Sequence, residues 1–199
     1  MKVTAVLAHP DDELMCAGTL AKFAQLGADT TLVTMFMDER RDEWGKCAHT
    51  LGYKADSPLF DTRSEDTFVW SRAEVVAFEN SFPRHLNSDL FITHRDTDDN
   101  TSHGHIARLV RTVARKNNSS VYLIDQSLPG GISPEPAPNL FVDISRYTQM
   151  KLQAIKCYES QLERYPGLDL AIMHRDGLYG WQTGVEAAEG FTLYRGIIK

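Results

Sequence analysis

The sequence predicts an α/β domain: a largely parallel sheet with helices covering both of its faces. Three observations carry that expectation. Short apolar, β-branched runs alternate along the chain with segments whose apolar residues recur at three- and four-residue spacing. The runs are apolar almost throughout rather than on every second residue, as strands buried on both faces are. Polar clusters directly follow two of these runs, at the strand ends where ligands bind in such sheets. The 199 residues are expected to form one domain, 1–199, long enough to bury a full core.

The elements follow in order. Residues 2–8, "KVTAVLA", read as a buried first strand bounded by Pro10. From Glu13 the positions Leu14, Ala17, Leu20, Ala21 and Ala24 trace a helix closing near Gly27. "DTTLVTMFM" (29–37) is a second strand, and 39–51 a second helix with Gly52 as its C-terminal cap. An irregular stretch, 53–70, precedes a helix over 71–87. "DLFITH" (89–94) is a strand, 103–117 a helix and "SVYLID" (120–125) a strand. The Pro/Gly-rich segment 127–139 is a loop long enough to form a rim or lid. "LFVDIS" is then a strand and 145–163 a long helix, and "GFTLYRGII" ends the chain with strand character.

Composition narrows the partners. A formal net charge of −6 disfavours non-specific binding to phosphate backbones or anionic membranes, so neither nucleic acid nor membrane is expected. The basic run "RLVRTVARK" (108–116) falls on a helix and reads as a solvated face. Cys16, Cys47 and Cys157 are widely spaced and form no CxxC pair, which argues for core thiols over a disulfide framework or a thiolate zinc site. The N-terminal apolar run is too short for a signal peptide, and no stretch approaches the roughly 18–20 apolar residues of a membrane span. The expected setting is the cytoplasm and the expected partner a small molecule; a homo-oligomer stays open.

The polar clusters carry the chemistry. In "AHPDDE" (8–13), His9 and Asp12 stand three residues apart where the first strand gives way to a helix, with Pro10 suited to the first helical position. An imidazole and a carboxylate on one stiff turn, completed by a third ligand from another loop, make an open zinc-type site. The competing account is helix capping, since acids in the first turn complement the dipole by about 0.3–1 kcal/mol each. Capping explains one or two acids and leaves His9 unexplained. The second cluster, "HRDTDDNTSH" (94–103), follows the strand at 89–94 and reaches the same rim with His94, Asp98, Asn100 and His103. His103 opens a helix and is the better-fixed third ligand, while His105, two residues on, faces elsewhere.

"AHPDDE" resembles the signature of the PIG-L/LmbE-like N-deacetylases, which remove acetyl groups from amino sugars and related compounds with a metal, usually zinc. Further segments are similar to that family's: "CAGTL" (16–20), "RRDE" (40–43) with "LG" (51–52), "TH…DDNTSH" (93–103), "FVDIS…KLQAIKCYESQ" (141–161) and "GVEAAEGF" (184–191). The resemblance implies a Rossmann-like three-layer α/β sandwich. It also implies Zn2+ or another divalent metal on His9, Asp12 and His103, with Asp11 as general base and Arg40 as a substrate contact. Relatives that carry His-x-Asp-His use the first histidine on the oxyanion. Here the stretch reads Asn100-Thr101-Ser102-His103, which makes Asn100 a candidate donor, with Asp98, His174 and Tyr158 as further candidates around the substrate.

The implied function is metal-dependent hydrolysis of an N-acetyl group from an amino-sugar-like molecule. The alternative is a non-catalytic, metal-containing protein that binds an acetylated sugar, which the Ser102 substitution favours and the retained Asp11 opposes. A nucleotide-binding reading is weak, because acids stand where a GxGxxG loop would cradle phosphates.

Overall fold

The structure is a computed structural model that describes residues 1–56, 68–97, 100–126 and 137–197. Its strands are β1 (Lys2–Leu7), β2 (Asp29–Thr34), β3 (Lys54–Asp56), β4 (Leu90–Thr93), β5 (Ser120–Ile124), β6 (Leu140–Asp143) and β7 (Ala188–Arg195). They form one sheet in the order β3-β2-β1-β4-β5-β7-β6. The first five of these run parallel, and β7 is antiparallel to both β5 and β6. The expected mostly parallel sheet is thus observed, with its reversal of strand order between β1 and β4.

The helices are α1 (Ala17–Gln25), α2 (Arg41–Leu51), α3 (Arg72–Ser81), α4 (Thr101–Asn117), α5 (Thr148–Lys156), α6 (Glu159–Arg164) and α7 (Leu168–Thr183). Because side chains of a strand alternate between faces, β1 feeds two cores at once. Val3, Ala5 and Leu7 pack with Leu20 of α1, Leu51 of α2, Ile155 of α5 and Ile172 of α7. Val6 and Ala8 pack on the other face with Phe78 of α3 and Leu109, Val110 and Val113 of α4. The result is three layers, with β1 buried between two apolar layers as its uninterrupted hydrophobic run predicts. Among the described residues no helix is long and apolar enough to cross a membrane.

Two expectations need correction, and one helix is new. Pro10 does not open a helix: Asp11 follows it at φ 93°, ψ −23°, in the left-handed region, and Asp12–Met15 then form a 3-10 turn before α1 starts at Ala17. A proline followed by a left-handed residue is the order of a type II turn, so the chain reverses here before it winds. The long helix over 145–163 is broken instead into a 3-10 turn, α5 and α6. Its break falls at Tyr158 (φ −94°, ψ 65°), whose fully buried ring belongs to the core. The tail, for which the sequence pattern specifies no element before its last strand, contains a 16-residue helix, α7.

A buried ionic cluster joins the end of the chain to its beginning. Glu189 of β7 accepts hydrogen bonds from the backbone N–H of Gly18 (2.8 Å) and Thr19 (2.7 Å) at the start of α1. Lys151 of α5, wholly buried, donates to Glu189 Oε1 at 2.6 Å and lies 2.5 Å from Asp176 of α7. A carboxylate at a helix N-terminus satisfies otherwise orphaned N–H groups, here with its own counter-ion supplied. Gly18 also fits closely against Ile144: a Cβ there would lie 2.8 Å from Ile144 Cδ1.

Candidate active site

The carboxyl ends of β1 and β4 lie side by side, so the segments that leave them meet. His9 leaves β1 and His103 sits in the first turn of α4, ninety-four residues later. His9 Nδ1, His103 Nε2 and a carboxylate oxygen of Asp12 lie within 4.8 Å of one another. The individual separations are 3.4 Å between the two imidazole nitrogens, 3.6 Å from His9 Nδ1 to Asp12 Oδ2, and 3.5 Å from His103 Nε2 to Asp12 Oδ1. Asp12 is fixed from its own turn, because its Oδ2 accepts the His9 backbone N–H at 2.8 Å.

His94, at the end of β4, is one histidine among several in the sequence; the structure gives it a position. It is fully buried, stacks on His103 with ring centroids 3.9 Å apart and 12° between planes, and comes within 3.4 Å of Asp12 Oδ2. The Ala8 N–H donates to its Nε2 (2.8 Å), which leaves Nδ1–H to donate to Gln126 Oε1 (3.0 Å). Gln126 in turn donates from Nε2 to Asp12 Oδ1 at 3.4 Å. Partners of this kind orient metal-binding groups and tune them. Sequence reasoning misses Gln126; its one signal there is a place two residues beyond the end of a strand.

Asp11 points away from Asp12, as the turn requires, and forms an ion pair with Arg40 Nη1 at 2.7 Å. Burial, reinforced by the neighbouring Asp12 charge and opposed by Arg40, raises its pKa to about 7. Burial would raise Asp12 as well, but His94, His9 and His103 around it hold its carboxyl well below the ordinary range. Two adjacent carboxyls thus differ in proton affinity, the arrangement that separates a ligand from a base. The left-handed backbone of Asp11 is held by Glu13, whose Oε2 accepts the Asp11 N–H at 3.0 Å and whose Oε1 accepts from the Tyr158 hydroxyl. Glu13 is fully buried, and burial raises its pKa to about 7.

The other expected site residues fall as follows. Arg40 is anchored between Asp11 and Asp38, where it holds the candidate base. Asn100 caps α4, its Oδ1 accepting from Ser102 N (3.0 Å) and Ser102 Oγ (2.6 Å), so this oxygen serves the helix and not a substrate. Ser102 therefore takes up the Asn100 cap where relatives are expected to carry a carboxylate. Tyr158 is sealed in the core on Glu13, which removes it as a proton donor to substrate. His174 is solvent-exposed on α7 and lies outside the cleft walls described below. His105 faces away, accepting from the Trp70 N–H (3.2 Å). Asp98 and most of the loop 127–139 lie outside the described residues. The three cysteines are free, Cys16 and Cys47 fully within the core.

Fold and cluster together define an α/β domain with a candidate divalent-metal centre at the carboxyl ends of β1 and β4. No protein-family model matches the chain. Among solved structures it is similar to a conserved protein from Thermus thermophilus, with TM-score 0.81 and 19% identity over 99% of this chain and 96% of that one. It is similar also to GalB, the 4-carboxy-2-hydroxymuconate hydratase from Pseudomonas putida (TM-score 0.78, 18% identity, 100% and 98% covered). A third is the N,N'-diacetylchitobiose deacetylase from Pyrococcus horikoshii (TM-score 0.74, 20% identity, 98% and 84% covered). Deacetylases therefore share this fold, and so does a hydratase.

Proposed function

We propose that the protein is a metal-dependent N-deacetylase of the PIG-L/LmbE-like kind, acting on a small N-acetylated, sugar-like molecule. The observation that carries this reading is the convergence of His9, Asp12 and His103 on one point with Asp11 beside them. Two imidazole nitrogens and a carboxylate oxygen form the donor set of an open zinc site, and the ionised Asp12 and its Gln126–His94 support fit that use. A divalent cation held there would supply an activated water near neutral pH and polarise the acetyl carbonyl.

The chain's own residues do the rest. Asp11 stands where it can accept a proton from the attacking water and return it to the departing amine. The Arg40 guanidinium holds the Asp11 carboxylate in place, and Glu13 holds the strained turn that aims it. Asn100 stands where relatives carry the oxyanion histidine; its Oδ1 is engaged in the helix cap, so its hydrogen bond to an oxyanion would come from Nδ2.

The hydratase that shares the fold supports one second reading, addition of water across a carbon–carbon double bond by the same metal and base. Acetate release from a panel of N-acetylated sugars, with zinc added or chelated, separates them. Zinc-dependent acetate release supports the deacetylase, and its absence from metal-loaded protein across the panel rejects it.

A further inference from the structure

A cleft of about 380 Å³ opens directly off the acidic turn. Asp11 and Asp12 line it, whereas His9 and His103 do not. Away from the aspartates its described walls are largely apolar: Leu14 and Met15 on the turn side, Tyr165, Pro166 and Leu168 at the α6–α7 corner, and Ala171 one turn into α7. No lysine, arginine or histidine lines it among the described residues, so an anionic group set against these walls, away from the metal centre, meets no counter-charge from them. A sugar ring rich in hydroxyls fares little better, because buried polar groups need partners. Gln126 is already committed to His94 and Asp12. Gln161, only 7% exposed, is the remaining buried polar side chain of the described wall beside the half-exposed Tyr165, and its side-chain amide makes no hydrogen bond among the described residues.

The position of Asp11 fixes which side of the substrate this cleft serves. A group that returns a proton to the departing nitrogen must face the amine half of the amide. Asp11 lines the cleft while the ligand imidazoles of His9 and His103 do not, which puts the cleft on the base's side of the candidate metal centre and so assigns the amine half to it. We propose that this cleft is a specificity subsite for an uncharged apolar substituent, aryl or alkyl, carried on the amine side of the scissile amide, with Gln161 supplying one hydrogen bond. The assignment of sides rests on the deacetylase reading above; the apolar character of the subsite rests on its walls.

The test compares N-acetylglucosamine, its phenyl β-glycoside and N-benzoylglucosamine on the zinc-loaded full chain, in wild type and in Ala171→Trp. Each is measured by kcat/KM for release of the acid and by calorimetric titration. Zinc content and circular dichroism verify that the variant is folded. Burial of the ring predicts a kcat/KM for the phenyl glycoside at least about tenfold above that of the free sugar. Ala171→Trp fills the cleft and brings that ratio to near one, and a phenyl group on the acyl side brings no gain. Turnover of both sugars with equal kcat/KM overturns the subsite and leaves deacetylation standing. A gain for the benzoyl compound overturns the assignment to the amine side. Phenyl-glycoside binding about tenfold tighter than that of the free sugar, lost in Ala171→Trp but without acetate release from either, supports the subsite and rejects the deacetylase reading instead.

Discussion

Truncating Glu189 should destabilise the protein far more than its place on a late strand would imply. Its two oxygens accept from Gly18 N, Thr19 N and Lys151 Nζ, and the residue is fully buried. Glu189→Ala strands two helix N-terminal N–H groups and leaves the buried Lys151 cation with Asp176 alone. Breaking a buried ion pair costs about 3–5 kcal/mol, and the expected total is of that order because the three bonds share one site. For a chain of this length each kcal/mol lowers Tm by roughly 2–4 °C, so a fall of about 6–20 °C is expected. Urea unfolding followed by circular dichroism gives the free energy directly. The double variant Glu189→Ala/Lys151→Met removes the stranded cation with its partner and should lose less than the sum of the two single variants, by about 0.5–3 kcal/mol. A Tm fall under about 2 °C for Glu189→Ala, or strict additivity in the cycle, would refute this account of the cluster.

Four other outcomes follow from the site and the sheet. Asp11→Asn should retain bound zinc at wild-type stoichiometry while lowering acetate release by about 10²–10⁴-fold, measured by metal analysis beside turnover. Gln126→Leu removes the link between His94 and Asp12 and should weaken zinc affinity about 10–100-fold in competition with a chromogenic chelator. Treatment with EDTA should abolish turnover and added zinc restore it; activity that survives in demonstrably metal-free protein would contradict the mechanism. At the opposite end of the sheet, burial depresses the pKa of His85 below 6.5 against the pull of Asp56. A depressed pKa means the unfolded chain takes up the proton first, so this stabilising contribution is present above pH 6.5 and is lost as pH falls through the folded value. The unfolding free energy of the wild type should therefore decline from about pH 7 to about pH 5 more steeply than that of His85→Gln.

Much of the architecture is legible in sequence because it depends on local pattern. The apolar runs of β1, β2, β4 and β5 declare strands buried on both faces, and the spacing of Ile106, Leu109, Val110 and Val113 declares the inner face of α4. The helix that escapes such reading, α7, carries Gly177 and Gly180, and a glycine within a helix costs about 1 kcal/mol by propensity. Gly180 is there for a reason no local pattern contains: a Cβ would lie 2.6 Å from the Glu186 carbonyl oxygen as the chain doubles back. Likewise the break at Tyr158 exists because its hydroxyl must reach Glu13, 145 residues away.

The site divides along the same line. His9, Asp11 and Asp12 announce themselves as a charged turn at a strand end, and a parallel sheet brings the segment after β4 to the same rim. The resemblance assigns Asp12 to the metal and Asp11 to the proton; what sequence alone leaves open is the arrangement that lets consecutive acids take different roles. Backbone geometry decides it. With Asp11 left-handed, Asp12 turns in to the histidines, Asp11 turns out to Arg40 and the cleft, and Glu13 turns down to Tyr158. Residues adjacent in the chain share a composition but not an environment. Burial and neighbouring charge, which set proton affinity and contacts, are properties of three dimensions. The role of His94 belongs to the same class: a loop histidine in sequence, it becomes a buried support for Asp12 only because β4 lies beside β1.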